Sequence, residues 1–402
     1  MSSSGSESTP ELPAKRPVDL REARDAVADT AGAGQRVLLR GAGTAQSWGG
    51  PVRDAAAIID TTGLDQILAY NPADMTVAVG AGIALRDLQA KLDGQRVALD
   101  AARVPEGATV GGLLATGDAG PLRATYGTLR DLVIGVTVVL ADGTVARSGG
   151  HVIKNVAGYD LAKVLSGSLG TLGLVVEVVL RVHPLPEATG TLAVVCDVPT
   201  AFTCASGLLA SPLEPVAVEW YAGRLLVRFE GTRAGVTTRM GKATDLVRED
   251  SGLAHGGADV LDGAGESAAW DEVADVVRGA PGDTVLRVGS RASDLPDLAA
   301  RLDALATDHD IDATLTSSVG IGVHTVRIRG DEAAAHAAVV AAWRSAVLER
   351  GGSVTLHRRI AGLDDLVPSW GPAPATLPLL RALKTQLDRD NRLGPGRFAP
   401  WY

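Results

Sequence analysis

From residue 20 to residue 186 the apolar positions fall in short blocks broken by Gly, Pro and Asp, the texture of strands joined by tight turns. "REARDAVADTAG" predicts a first helix, and "RVLLRG", "AAIID" and "MTVAVGAG" predict strands after it. In "ALRDLQAKLDG" Leu85, Leu88 and Leu92 recur at helical spacing, with Gly94 as the stop. "VIGVTVVLADGTVARSGG" predicts a hairpin turning at Asp142 and Gly143. The strand "LVVEVVLRVHPLP" runs into Pro184 and Pro186, which mark a domain boundary.

Beyond residue 187 the pattern changes. "GTLAVVCDV", a helix, the hairpin "VAVEWYAGRLLVRFEG" and a second helix make one β-α-β-β-α unit. The order then recurs. "DTVLRVGS" precedes a helix with Leu295, Leu298, Leu302 and Leu305 on one face. The strands "DATLTSS" and "VHTVRIRG", a long helix from Asp331 and the strand "SVTLHRRI" follow. A closing helix, "LPLLRALKTQLD", is expected to bury Leu379, Leu383 and Leu387, and the remaining tail is irregular.

Composition narrows the function. A formal charge of −9 argues against nucleic acid or anionic membrane as a main partner, since either would want a basic face. The cysteines Cys196 and Cys204 are the only two, too few for a four-thiolate cluster, and read as buried thiols in a reducing compartment. The longest apolar run, "LVIGVTVVLA", is far short of a membrane span. The first 16 residues are expected to be a disordered tail.

Glycine carries the chemistry. "RGAGTAQSWGG" joins a strand to a glycine loop, a junction suited to a phosphate. It is not a dinucleotide fingerprint, because Gln46 stands where the third glycine belongs, and "GAGIAL" fails likewise at Leu85. No P-loop motif occurs, and Gly49, Gly50 and Pro51 forbid a prompt helix. The donors are therefore expected to be backbone N–H groups in a nest. A second stretch holds six glycines between Gly107 and Gly127, which implies tight turns or close approach to a ligand. A third cluster, "GSLGTLGLVVEVVL", runs straight into a strand.

These segments, with "GATVGG", "YGTLRDLVIGVTVVLADGTV", "KNVAGYDLAKVLSGSLGTLG" and the tail "LGPGR", occur in an order that resembles the vanillyl-alcohol oxidase/p-cresol methylhydroxylase superfamily. Within it they most resemble the FAD-binding E-type subunits of bacterial glycolate oxidase. The resemblance implies an α+β fold: a two-lobed PCMH-type FAD-binding domain (17–186), an α+β cap of ferredoxin-like βαββ units (187–376), and a segment (377–402) returning to the first domain.

It also implies site residues. Arg40, Gly41, Ala42, Gly43, Thr44, Ala45, Gln46 and Ser47 would wrap the FAD pyrophosphate. Thr109, Val110, Gly112, Thr116, Gly117, Asp118 and Gly120 would lie beside the diphosphate and flavin ring. Gly173, Val175 and Val176 would hold the adenine side, and Lys154 is either a flavin-side cation or a structural lysine. Thr44 occupies the neighbourhood of the histidine that tethers flavin in some relatives, so non-covalent FAD is implied.

The implied partners are a catalytic flavoprotein subunit, an iron–sulfur subunit and a small 2-hydroxy acid. The implied location is the cytoplasm, with contact to the inner membrane face only through partners. Two departures concern chemistry. Gly394 replaces the asparagine of the closing segment, and "TGDAGP" replaces an Asn-x-Ser-Gly-Pro loop. The His-x-Gly-Asp-Gly-Asn-x-His motif of catalytic subunits does not occur, and no metal site is expected from the histidine spacing. His357 with Arg358 or Arg359 is the remaining candidate for a base and a carboxylate-binding cation. The same strand also reads as an edge carrying charge into solvent or a subunit contact. Trp370 in "PSWGPAP" is a loop anchor or a pocket cover. The readings that stay open are a glycolate oxidase-type subunit, a stand-alone flavin oxidoreductase and a non-catalytic FAD scaffold.

Overall fold

The computed structural model describes residues 12–151, 158–251 and 257–402. The first lobe is a small parallel sheet in which Ala57–Asp60 lies between Ala14–Lys15 and Val37–Arg40. Lys15 therefore already belongs to this sheet, upstream of the expected start at 17. Helix Leu20–Gly32 begins where Asp19 accepts the N–H of Glu22, and it buries Ala23 and Val27. The second lobe is a five-stranded antiparallel sheet in the order Ile67–Asn71, Thr76–Gly80, Leu174–Arg181, Val133–Val139, Val145–Gly149. Val139, Leu174 and Val176 carry the core across to Val27, Val37 and Ile59, so the lobes share one apolar seam.

The cap is one eight-stranded sheet with a near-symmetric order: Ala258–Leu261, Ala188–Val195, Arg224–Gly231, Ala217–Tyr221, then Asp312–Ser318, Val323–Arg329, Thr284–Gly289, Ser353–Arg358. Each half, numbered along the chain, reads fourth, first, third, second from its outer edge, the ferredoxin-like order. The halves meet where Ala217–Tyr221 pairs antiparallel with Asp312–Ser318. The expected repeat is thus present, and the fourth strand of its first half, Ala258–Leu261, and the helix Gly263–Arg278 are elements the hydrophobic pattern did not announce. Cys196 and Cys204 are buried in the cap core with Leu208, Phe229 and Trp343.

Three local expectations are corrected. The helix read over 84–94 is only Leu85–Gln89, although Leu92 still buries in the turns that follow. Inside the glycine-rich stretch, Val110–Thr116 is a short helix, because Val110, Leu113 and Leu114 fall on one buried face. In the closing helix Leu377–Leu387, Leu379 is 65% exposed while Leu383 and Leu387 pack on the second lobe. The buried member of that helix is Lys384, whose Nζ donates to the Thr171 and Leu393 carbonyls and to Asp388.

The chain end returns to the first lobe. Val37 N–H donates to Arg392 O and Gly394 N–H to Val37 O, both within 2.9 Å. The Arg392 guanidinium is buried against the Gln35 and Ala141 carbonyls and the Thr30 hydroxyl.

Candidate functional site

A cavity, open at its mouth, lies where the two lobes and the chain end converge. One wall is the glycine loop from Arg40 to Gln46. Facing it are Thr109, Gly111, Gly112, Thr116 and Asp118, and Gly173 to Val175 close the third side.

Loop geometry follows from glycine. Gly41 packs so close to Thr109 that a Cβ there would lie 2.2 Å from the threonine Oγ1. Gly43 is different. Its φ is +80°, and a Cβ would meet only the Arg40 Cδ at 3.8 Å, so backbone conformation and not crowding selects glycine there. Among the described residues, the N–H groups of Ala42, Gly43, Thr44 and Ala45 take no acceptor within the chain.

The carbonyls from Gln46 to Gly50, in contrast, are all engaged. Arg397 is buried, and it donates to the Gln46, Trp48 and Gly50 carbonyls and to the Gln46 side-chain oxygen. Arg359 reaches over from the cap and donates to the Ser47 carbonyl at 2.6 Å and to that of Gly49. Burial, with Arg359 nearby, lowers the Arg397 pKa to about 10, so it stays charged at neutral pH. The cap completes the clamp, since Ser47 Oγ donates to His357 O at 2.8 Å and Gly49 N–H to Leu356 O.

At the loop's root, Arg40 pairs with Asp60 at 3.1 Å. Burial pushes the Asp60 carboxyl up, but hydrogen bonds from Thr62 and Arg40 outweigh it and hold the pKa below the ordinary range. Across the cavity, Arg103 and Asp118 form a buried ion pair at 3.3 Å. Burial raises the Asp118 pKa and lowers that of Arg103, each opposed by the other's charge. The Arg103 guanidinium lies 4.5 Å from the Trp48 ring centroid, a cation–π contact.

The expected residues separate into groups. Arg40 to Gln46, Thr109, Gly112, Thr116, Asp118, Gly173 and Val175 line the cavity. Val110 and Val176 sit in the apolar core instead, Gly117 ends the short helix at φ +64°, and Gly120 packs against Asp100. Lys154 lies outside the described residues. His357 is stacked on Trp48 at 3.5 Å, and burial, then the Arg103 charge, puts its pKa well below 6.5. Its imidazole is neutral and behind the loop. Arg358 donates to Arg278 O, and Arg359 serves the loop carbonyls and Asp364. Neither arginine lines the cavity.

Arg103, Trp48 and Arg397 were not singled out from the sequence. Only Arg397 carried a signal, through the tail "LGPGR". Among the described residues no cluster of three or more His, Cys, Asp or Glu could hold a metal, and no helix is long and apolar enough to cross a membrane.

Residues 14–149 match the family model described as FAD binding domain. Over 172 residues the chain is 33% identical to glycolate oxidase subunit GlcE of Escherichia coli, which covers 42% of this chain and 49% of that one. It is 31% identical over 218 residues to glycolate oxidase subunit GlcD of Bacillus subtilis (53% of this chain, 46% of that one). It is 34% identical over 160 residues to a mitochondrial D-lactate dehydrogenase of Arabidopsis thaliana, 40% and 28% of the respective chains. The chain thus spans about half or less of the length of these curated relatives. Among solved structures, an alkyldihydroxyacetonephosphate synthase superposes with a TM-score of 0.71 over 95% of this chain and 76% of that one, at 16% identity. That likeness is one of fold, and it extends over the cap. By this match residues 14–149 are an FAD-binding domain.

Proposed function

We propose that the chain holds FAD non-covalently and serves as the E-type subunit of a glycolate oxidase-type complex. In this reading electrons from a small 2-hydroxy acid reach FAD and pass to an iron–sulfur partner, with a catalytic flavoprotein subunit in the same assembly. The observation that carries it is a coincidence of place. The FAD-binding match over 14–149 contains the loop 40–46, Thr109 and Asp118, the same residues that build the cavity.

The residues fit the group. Among the described residues the N–H groups of 42–45 find no acceptor, which suits them to a nest for a diphosphate. Gly41 leaves room for the loop to lie against Thr109. Arg397 and Arg359 hold the following carbonyls turned away, and their charges favour an anion nearby. Bound FAD supplies a two-electron acceptor. On the chain's side, the Arg103–Asp118 pair fixes the loop that replaces Asn-x-Ser-Gly-Pro, and Asp118 is a carboxyl whose raised pKa suits it to proton exchange at the cavity. Among the described residues that line the cavity no second carboxyl, imidazole or amine stands opposite it, and His357 faces Trp48. This supports a subunit that relies on a partner.

A stand-alone FAD-dependent 2-hydroxy acid dehydrogenase is the second reading, favoured by the similarity to a D-lactate dehydrogenase. Anaerobic mixing of the purified, FAD-loaded chain with glycolate and with D- and L-lactate separates the two. The subunit reading expects slow bleaching of the flavin band alone and rapid bleaching once a catalytic subunit is added. Rapid bleaching by the chain alone supports the second reading instead. FMN or no flavin after reconstitution with excess FAD would sink both.

A further inference from the structure

A second cavity, of about 390 Å³, opens between the cap helix Ala333–Glu349 and the closing helix Leu377–Leu387. Its walls are Pro368, Trp370, Leu377 and Trp401, with Arg344 and Arg381 as its charged members. Arg344 is 7% exposed. One of its terminal nitrogens donates to Pro368 O at 2.9 Å, while Nε and the other terminal nitrogen are buried with no partner. Burial lowers its pKa, and no acidic group opposes the shift. A buried guanidinium with two idle donors and no counter-charge is unfavourable by itself.

The surroundings state what would relieve it. Trp370 and Trp401 stand 5.1 Å apart, tilted by 36°, and present apolar ring surface. Arg381 is an exposed rim cation whose Nε donates to Trp401 O, leaving its terminal nitrogens for other acceptors. A planar fork of donors recognises a carboxylate, and indole faces recognise a flat apolar body. We propose that this cavity binds a small aromatic carboxylate, its anionic end at Arg344 and Arg381 and its ring against the two tryptophans. The site is separate from the FAD cavity and does not rest on the function proposed above. Trp370 touches both regions, since its Nε1 donates to Arg397 O and its ring crowds Gly49.

The test uses the full FAD-loaded chain, titrated calorimetrically with benzoate and phenylacetate, with benzyl alcohol as the neutral control. Saturable one-site binding of a carboxylate is expected, with benzyl alcohol at least about tenfold weaker. Arg344→Met, which keeps the volume and removes the fork, should weaken benzoate by about tenfold or more and abolish its effect on the thermal midpoint. Should that variant not fold, Arg381→Met on the exposed rim should still weaken benzoate severalfold. The flavin absorption band should not move on saturation. No saturable binding at millimolar ligand, equal binding of benzyl alcohol, a shifted flavin band, or benzoate affinity unchanged in the folded variants would each overturn the proposal.

Discussion

Replacing Gly41 by alanine should break flavin binding through Thr109. The new Cβ would stand 2.2 Å from the threonine Oγ1 and 3.2 Å from its Cβ and Cγ2, so either the threonine or the loop must shift. Thr109 is also the N-cap of the helix Val110–Thr116, where its hydroxyl accepts the Gly112 N–H at 3.2 Å. If the threonine yields, the lost cap costs about 1 kcal/mol and the overpacking a further 1–3 kcal/mol. If the loop yields, the nest opens. Losing two N–H donors to a charged phosphate, at about 1.5–3 kcal/mol each, weakens FAD by roughly 10²–10⁴-fold. Fluorescence titration of the deflavinated chain with FAD measures the dissociation constant. The double variant Gly41→Ala/Thr109→Gly removes the clashing side chain and should recover most of the lost affinity, although Thr109→Gly alone weakens the helix start. Wild-type affinity in Gly41→Ala, or no recovery in the double variant, would refute the reasoning.

Gly43→Val should lose FAD for a different reason, the strain of a β-branched residue at φ +80°, so no second-site change at Thr109 restores it, and retained FAD on gel filtration argues against the nest. Arg358→Ala is the matched control and should keep its flavin, because Arg358 donates to Arg278 O away from the cavity. Arg397→Met leaves the Gln46 carbonyl and side-chain oxygen unpaired and should destabilise the chain by about 2–4 kcal/mol, read as a lower denaturant midpoint; an unchanged midpoint would show the loop does not need its clamp. Glu219 sits at the seam of the two cap halves, hydrogen-bonded by Thr316 and Ser318, and burial chiefly, with Asp100 adding, pushes its pKa from 4.5 up to about 7. Its raised value means the protonated form favours folding. The contribution, about 3 kcal/mol, is full below about pH 4.5 and is lost as pH rises through 7. Glu219→Gln should therefore flatten the fall in thermal midpoint between pH 5 and pH 8, and an identical pH profile in both proteins counts against it.

Local pattern determined the fold class. Short apolar blocks punctuated by Gly and Asp-Gly dictated strands and hairpins, and the leucine periodicity of 295–305 dictated a helix, because neighbours along the chain decide these. The strand-to-glycine junction was legible from "RVLLRG" and the absence of a following helix, and its N–H groups at 42–45 are left without acceptors among the described residues. Periodicity misjudged Leu379 because the closing helix is covered on one side only by the second lobe, and spacing says nothing about how wide that cover is. Tertiary structure alone decided that His357 turns to Trp48 and that one terminal nitrogen of Arg359 donates to residues 310 and 312 positions away. The same holds for Arg103 and Asp118, whose pairing depends on two turns meeting in space. A side chain's chemistry is set by its partners, and partners that only the fold brings together leave no mark on the local pattern of the chain.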